Sequence, residues 1–265
     1  MSGLARAGRQ ARALFQQQLA LMVEFRAEIY LWVFAGVLPL ILLGVWAQAA
    51  QGGAFSLSSI DFIRYFIAVF VVRQFTFIWV IWEFEELVVS GRLSFSLLQP
   101  LNPIWRFFAS HLTERVVRLP LVGVIVALAF AIYPQAFWVP DAAHALGAVA
   151  LVLCAFLVRF ILQYMMAMLA FWSERASAIE DLWYVLHLFL SGLIAPLEVY
   201  PPSVRALAEL TPFPYLIYYP ANLLCGRGVP LGKALIVLGV WGALALLVQR
   251  RLWKKGLESY TAMGA

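Results

Sequence analysis

The feature that most limits what this chain can become is the recurrence of long apolar runs, with most of the charge confined between them. Such runs lie at 29–46, 61–82, 116–133, 145–172, 178–196 and 231–248. A run of about 18 or more apolar residues is long enough, as helix, to cross a hydrocarbon core of about 30 Å. Of the 265 residues 64% are hydrophobic and only 12% are charged, whereas a soluble domain carries about a quarter charged residues. The expectation is an all-α membrane protein forming a single domain over 1–265. Residues 1–27 would make an interfacial helix, 28–249 a six-span bundle and 250–265 a basic tail.

The net charge of +5 could suggest a nucleic-acid partner, but the basic residues sit mostly at the ends of apolar runs and form no patch. Topology accounts for them, because Lys and Arg collect on the cytoplasmic side of a membrane. Segments 48–59 and 134–141 have no basic residue and read as outer loops, while Arg250, Arg251, Lys254 and Lys255 anchor the end of the last run inside. Both termini then fall on the cytoplasmic side, with Arg205, Arg227 and Lys233 as exceptions on the outer side. Ala47-Gln48-Ala49 matches a small-x-small cleavage site, yet the run before it exceeds a signal core of about 7 to 15 residues. It reads as a retained span.

Near the N-terminus, Leu4, Ala7, Ala11, Leu14, Phe15, Met22 and Phe25 fall on one helical face, with Arg6, Arg9, Arg12, Gln16 and Gln17 largely on another. That spacing predicts an amphipathic helix lying against membrane lipid. The plainer alternative is a basic leader that only fixes orientation.

The most informative stretch runs from Glu83 to Pro103. It brings Glu83, Glu85 and Glu86, then Ser90-Gly91-Arg92-Leu93, then Leu97-Leu98-Gln99-Pro100. Gly91 suits a helix C-terminus because it tolerates positive φ, and Pro100 and Pro103 discourage helix just before them. Residues 93–98 are too short to span and too apolar for a free loop, so a small surface helix offered to another body is expected. The three glutamates alone read as a solvated collar.

Within the runs, Pro39 predicts a kink, and Arg73 and Arg159 are placed where an arginine costs a few kcal/mol unless it faces the bundle interior. Each either lines a pathway or pairs with a neighbouring carboxylate or carbonyl. Arg73, Arg159, Gln163 and His187 are the pathway candidates. His187 is a lone imidazole with no partner at ligand spacing, so an interhelical hydrogen bond is expected and no metal site. Trp105, Arg106, Arg115 and Arg118 flank the start of the third run, and Met165, Met166 and Met168 read as core gap-fillers. Residues 196–220 are repeatedly broken by proline yet stay aromatic. Irregular backbone at membrane depth needs protein or a cavity around it, which predicts a re-entrant cap with Pro212, Phe213, Pro214 and Tyr215 as outer gate candidates. A surface loop is the alternative.

Several chemistries drop out. Gly226 to Ala234 resembles a phosphate loop only superficially, since its glycine spacing is wrong and Ala234 replaces the Ser or Thr that would reach magnesium. Cys154 and Cys225 make no disulfide framework. No zinc motif, nucleophile elbow or carboxylate pair emerges, so the chain is not expected to be an enzyme or to hold a cofactor.

The interfacial helix, the six runs, the loop from Glu83-x-Glu85 to Gln99-Pro100, the proline-broken outer element and the tail Trp253-Lys254-Lys255-Gly256-Leu257-Glu258-Ser259-Tyr260 together resemble the permeases of ABC-type-2 exporters. The likeness is closest to the bacterial branch in which two different six-span permeases accompany a separate ATPase. It implies that Ser90 to Leu98 is a coupling helix docking on the ATPase, with Glu83, Glu85, Glu86, Ser90, Gly91, Arg92, Leu93, Leu97 and Leu98 as coupling residues. It also implies a connecting helix at the N-terminus, re-entrant helices over 201–220 and a bacterial inner-membrane location. The working unit would be a permease dimer, homo- or heteromeric, with two ATPase subunits that carry the ATP and magnesium.

An ion-gradient-driven secondary transporter is the competing reading, allowed by Arg73 and Arg159. A membrane-anchored enzyme or assembly factor lacks any residue constellation. The methionines and outer aromatics suit lipids, glycolipids or hydrophobic cations, while the two arginines lean toward anionic groups.

Overall fold

The computed structural model describes residues 3–53 and 55–260, with side chains from residue 8 onward in those ranges. The side chains of Leu4, Arg6 and Ala7, and the tail beyond 260, lie outside the described residues. Among the described residues the chain is helical throughout, with no strand.

Helix α1 (Gly3–Glu24) is amphipathic and lies along α7 (Pro103–Ile132). Leu14, Phe15 and Met22 are half-buried as the pattern predicts, but the most buried side chain is Gln18, and Ala11 and Phe25 are exposed. The first crossing is split into α2 (Arg26–Ala35) and α3 (Leu38–Ala49). Pro39, in the first turn of α3, has no N–H to continue the ladder, so the expected kink becomes a break at Gly36-Val37. Gln74 closes it by donating to the Val33 carbonyl at 3.4 Å.

The second crossing starts with a capping box, Ser58 and Asp61 satisfying each other's backbone N–H. It was expected to run unbroken from Asp61 to Trp82. Instead it divides into α4 (Ser59–Thr76) and α5 (Val80–Val89), with Phe77, Ile78 and Trp79 out of helix. After a turn comes α6 (Leu93–Leu97).

Helix α7 corrects a second expectation. It starts at Pro103, capped by the Asn102 side chain on Ile104 N–H at 3.0 Å, and not near Val116. Its 30 residues make a rod of about 45 Å. Arg115 and Arg118 therefore do not flank the crossing but are buried within it. Helix α8 (Ala142–Ala167) continues as a 3-10 turn through Phe171, as the fourth run predicts, and Met166 and Met168 are core residues.

The fifth run behaves differently from the rest. Only Ser177–Leu190 forms a helix, α9, of 14 residues; Ser191 to Pro196 is irregular. Gly192 ends it at φ +86°, a conformation closed to most side chains. Among the described residues five helical stretches are long and apolar enough to cross a membrane, and this is not one of them. The chain nevertheless passes from one end of the bundle to the other. Ser177 bonds Glu85 near the end of α5, whereas the carbonyls of Gly192 and Ile194 accept from Tyr65 and Trp46, which lie toward the opposite end. The six expected crossings are thus five helical stretches of spanning length among the described residues, two of them broken, plus one crossing that is helical over part of its length.

Three short helices follow, α10 (Pro202–Leu210), α11 (Phe213–Leu216) and α12 (Tyr218–Leu224). The last helix, α13 (Leu231–Ser259), continues well past the expected end at Val248, so the basic residues Arg250, Arg251, Lys254 and Lys255 project from an unbroken rod. The core has two main bodies. A large one packs α4, α8, α12 and α13 toward the Asp61 end, and an aromatic one around Phe84, Phe107, Tyr164 and Phe171 supports the α6 end. The outward faces of α7, α8, α9 and α13 expose leucine, isoleucine, valine and phenylalanine, as a surface against lipid requires.

Candidate functional site

At one end of the bundle α5 passes through Ser90 and Gly91 into α6. Gly91 has φ +71°, the positive value its position requires. The turn is knitted by Ser90 Oγ donating to the Glu86 carbonyl at 2.5 Å, Arg92 Nε donating to Ser90 Oγ at 3.0 Å, and an exposed Arg92–Glu86 ion pair. Ser94 Oγ donates to the Gly91 carbonyl at 2.8 Å.

Helix α6 is anchored from inside by Leu93, which is fully buried, and by Ser96. Leu97 is half-buried against the aromatic body. Outward it presents Phe95, 71% exposed, and Leu98, 84% exposed. Leu93 is thus turned into the core, and Phe95, absent from the sequence-derived set, is one of the two large apolar side chains that α6 presents outward. With helical spacing 93 and 97 share one face, and 95 and 98 lie off it.

Beneath α6, Trp253 packs against Phe84 and Phe171, and Tyr260 packs against Phe171 and lies 3.5 Å from Ser94 Oγ. The two stretches that carried the family resemblance therefore meet in space. The glutamates do more than form a collar. Glu86 is exposed, but Glu83 accepts from the Trp79 indole at 2.8 Å, and Glu85 accepts from Ser177 N–H at 2.6 Å and Ser177 Oγ at 3.0 Å. A carboxylate at the start of a helix satisfies otherwise unpaired N–H groups and complements the helix dipole. Through Glu85, α5 holds the N-terminus of α9.

One helical step deeper lies the interruption at Phe77–Trp79. It frees backbone groups that need partners away from water, and α7 supplies them. Arg115 donates to the carbonyls of Phe75, at 3.2 Å, and Phe77. His111 donates from Nδ1 to the Phe107 carbonyl at 2.9 Å and accepts the Trp79 N–H on Nε2 at 3.3 Å. Glu114, fully buried, pairs with Arg115 at 2.8 Å and with Arg118. Guanidinium groups also lie over the rings here, Arg118 on Trp79 at 5.2 Å and Arg115 on Phe156 at 5.3 Å.

Three of the four pathway candidates come together between α8 and α9. Arg159 is 1% exposed and its Nη2 donates to Glu180 at 3.3 Å, the pairing alternative for this residue. Gln163 and His187 are buried beside them. Arg73 is half-buried and approaches from α4, and the Arg73 and Arg159 guanidinium carbons stand 5.2 Å and 6.0 Å from the same ring, Phe77. The hydrogen bond expected of His187 is absent at Nδ1; its ring rests 5.9 Å from Phe213 instead. Helix α9 buries only Glu180 and His187 while exposing Ile179, Leu182, Val185, Leu186 and Phe189. Its polar side faces protein and its apolar side faces outward, the reverse of a helix in water.

The family model for ABC-2 family transporter protein matches residues 27–264. The chain belongs to this family. It is a permease component of an ABC transporter and a multi-pass membrane protein, in a family whose members are transmembrane components and not ATPases. No curated protein matches the chain.

The opposite end of the permease is closed by α10 to α12. Pro212, Phe213, Pro214 and Tyr215, the gate candidates, are all buried, and α12 packs on α4 and α8. This covered arrangement follows the re-entrant expectation and not that of a surface loop. The three basic residues that broke the charge rule each have a carboxylate partner: Arg205 and Lys233 share Glu209, at 3.3 Å and 2.9 Å, and Arg227 pairs with Asp61 at 3.2 Å. The hydrogen bond from Lys233, with Arg205 also beside it, holds the Glu209 carboxyl below its ordinary value.

Proposed function

We propose that this permease is the membrane half of an ATP-driven exporter and that a separate ABC ATPase grips the α6 ledge. The observation that carries the proposal is the pair Phe95 and Leu98, two bulky apolar side chains exposed on a short helix whose other face is fixed in the core. Apolar residues presented on a rigid base are what a protein partner buries at the centre of an interface. Arg92, Arg250, Arg251, Lys254 and Lys255 stand exposed at the same end, which by the positive-inside rule is cytoplasmic, where ATP is. Both termini then lie in the cytoplasm of a bacterial inner-membrane protein. Two ATPase copies carrying ATP and magnesium would serve a dimer of this chain with itself or with a second permease.

The motion follows from the connections. Displacement of α6 is transmitted through the knitted Gly91 turn to α5. Helix α5 is separated from α4 by the interruption at 77–79, so it pivots there, and its Glu85 carries the start of α9 along. Rigid elements turning about a few non-helical residues is the ordinary form of such transitions. Glu85, Ser90, Gly91 and Arg92 thus transmit force, Phe95 and Leu98 receive it, and Leu93 and Leu97 keep the ledge attached. The substrate would enter at the α6 end and leave beneath α10 to α12.

The test is copurification from membranes. A Phe95→Asp plus Leu98→Asp variant should reach the membrane in normal amount and lose the ATPase, because neither residue supports the core. Retained ATPase and full transport would end the proposal. The interrupted second crossing is also a feature shared with ion-gradient-driven carriers. Transport by the permease alone in liposomes, driven by a proton or sodium gradient, would establish that second reading.

A further inference from the structure

We propose that the seam between α1 and the ledge holds a resident aminophospholipid, drawn from the leaflet on the ledge side and not carried as cargo. The site is a cavity of about 300 Å³ enclosed by α1, α5, α6 and α7, within the size range of small-molecule pockets. Gln18 of α1, Glu83 of α5, Ser96 of α6, and Arg106 and Ser110 of α7 line it. The site lies behind α6, away from Phe95 and Leu98, so it stands whether or not an ATPase grips the ledge.

The first observation is a pair of buried polar side chains without partners. Gln18 is 6% exposed and Ser96 8% exposed, and neither side chain makes a hydrogen bond among the described residues. Buried amides and hydroxyls are normally paired. Both open on this cavity, so their partner belongs in it. Arg106 lines the same space and has no carboxylate in ion-pair range among the described residues.

The second observation is that the cavity carries both signs of charge. Glu86 and Arg92 pair with each other at its rim. Glu83, bonded on one oxygen to the Trp79 indole, and Arg106 are left to face the cavity without closing on each other. A zwitterion satisfies such a pair of walls. Its phosphate accepts from the Arg106 guanidinium and the Gln18 amide, and its ammonium donates to the carboxylates. A primary ammonium has three N–H donors for this purpose, whereas a quaternary choline has none.

The third observation is what adjoins the cavity. Gln18 and Leu21 are shared with a second one, of about 280 Å³, which Met22, Phe25, Ile29, Trp32 and Trp79 complete. Leu21, Phe25 and Trp32 are 40%, 56% and 47% exposed along it, an uncovered apolar slot. It leads from the ledge toward the interruption at 77–79, deeper in the bundle. Charged head at the surface and apolar slot directed inward is the polarity of a lipid in that leaflet, and a small soluble zwitterion would leave the slot bare. With Gln18, Ser96 and Arg106 on one headgroup, the lipid ties α1, α6 and α7 together and stiffens the ledge from behind.

The test is equilibrium binding to the full-length permease purified in mild detergent. The probes are dihexanoyl phosphatidylethanolamine, dihexanoyl phosphatidylcholine, dihexanoyl phosphatidic acid and free phosphoethanolamine. The ethanolamine lipid should bind at least about ten-fold tighter than each of the others, since only it offers both charges with donors and a tail. Glu83→Gln, which still accepts from the Trp79 indole and so keeps the fold, should erase the advantage over the choline lipid. Arg106→Gln, at an exposed position, should weaken all three lipids. Gln18→Leu should weaken the ethanolamine lipid without lowering the melting temperature of the lipid-free permease, because no bond within the protein is lost. Equal affinity for the ethanolamine and choline lipids, tighter binding of the phosphatidic acid, or phosphoethanolamine binding as tightly as its lipid would overturn the proposal. So would an ethanolamine preference unchanged in Glu83→Gln, or a Gln18→Leu permease that loses stability and keeps its affinity.

Discussion

Beside the break at Gly36-Val37 in the first crossing, two further crossings of this permease are interrupted, and these two are mended in opposite ways. At Phe77–Trp79 the freed backbone groups are met by Arg115 and His111 from α7, with Glu114 and Arg118 behind them. At Ser191–Pro196 they are met by neutral groups. Tyr65 donates to the Gly192 carbonyl at 2.7 Å, Trp46 to that of Ile194 at 2.8 Å, and the Tyr218 N–H to that of Ser191 at 3.0 Å.

The difference teaches what each interruption is for. Charged partners on long side chains can follow a moving backbone and exchange one oxygen for another, so the first interruption suits a pivot between α4 and α5. Short neutral bonds from rings packed in the large core fix one geometry, so under the proposed motion the second suits a stationary anchor for α9. Both satisfy the demand that no backbone group stay unpaired in the membrane.

The largest effect that could break this contrast is at the charged interruption. Arg115→Met should cost about 3 to 5 kcal/mol, because it leaves two carbonyls and part of a buried carboxylate without a partner. Thermal unfolding in detergent reads it, and a loss below about 1 kcal/mol would mean that the guanidinium is not what holds the segment.

At the neutral interruption, Gly192→Ala forces a side chain into φ +86°, with the new carbon 2.5 Å from the Tyr65 oxygen and 2.9 Å from Tyr218 Cβ. A strained backbone of this kind costs about 1 to 3 kcal/mol, and the same unfolding assay should show it. Tyr65→Phe deletes only the bond to Gly192 and should cost about 1 kcal/mol, leaving ATPase-driven transport intact. Transport falling further than stability would show that this end moves too.

The smallest effect sharpens the picture of the closed end. Glu209 has its carboxyl lowered from 4.5 by Lys233 and Arg205, so its contribution is complete above that value and is lost as pH falls through the lower, folded one. The difference in melting temperature between the wild type and Glu209→Gln should be constant from neutrality to about pH 5 and should shrink in more acid solution.

The same two interruptions show where sequence reading reaches and where it stops. The second left marks, since Gly192 and Pro196 punctuate the end of the fifth run, although the run was long enough to be taken for a complete helix. The first left none. Phe77, Ile78 and Trp79 are ordinary span residues, and their partners Arg115 and His111 lie more than thirty positions along the chain. Arginines beside an apolar run also satisfy the pattern of a membrane boundary, so Arg115 and Arg118 read as flanking the start of a helix that in fact buries them. The ledge was legible because glycine, prolines and a short apolar segment are local signals. Which of its residues face outward was not, because five residues are too few for periodicity to settle a face against a core not yet seen. The link from Glu85 to Ser177 joins two helices distant in sequence and was likewise beyond reach.

Under the proposed motion α9 moves with the ledge because Glu85 holds its first residue, Ser177. Spin labels at Leu182 on α9 and Leu146 on α8, both strongly exposed, report the separation of the two helices by pulsed electron resonance in the complex reconstituted with its ATPase. The account predicts that ATP shifts the distance distribution by several ångströms in the wild type and leaves it unmoved in Glu85→Gln, with the ATPase still bound. A distribution indifferent to ATP, or one that shifts equally in both proteins, would contradict it.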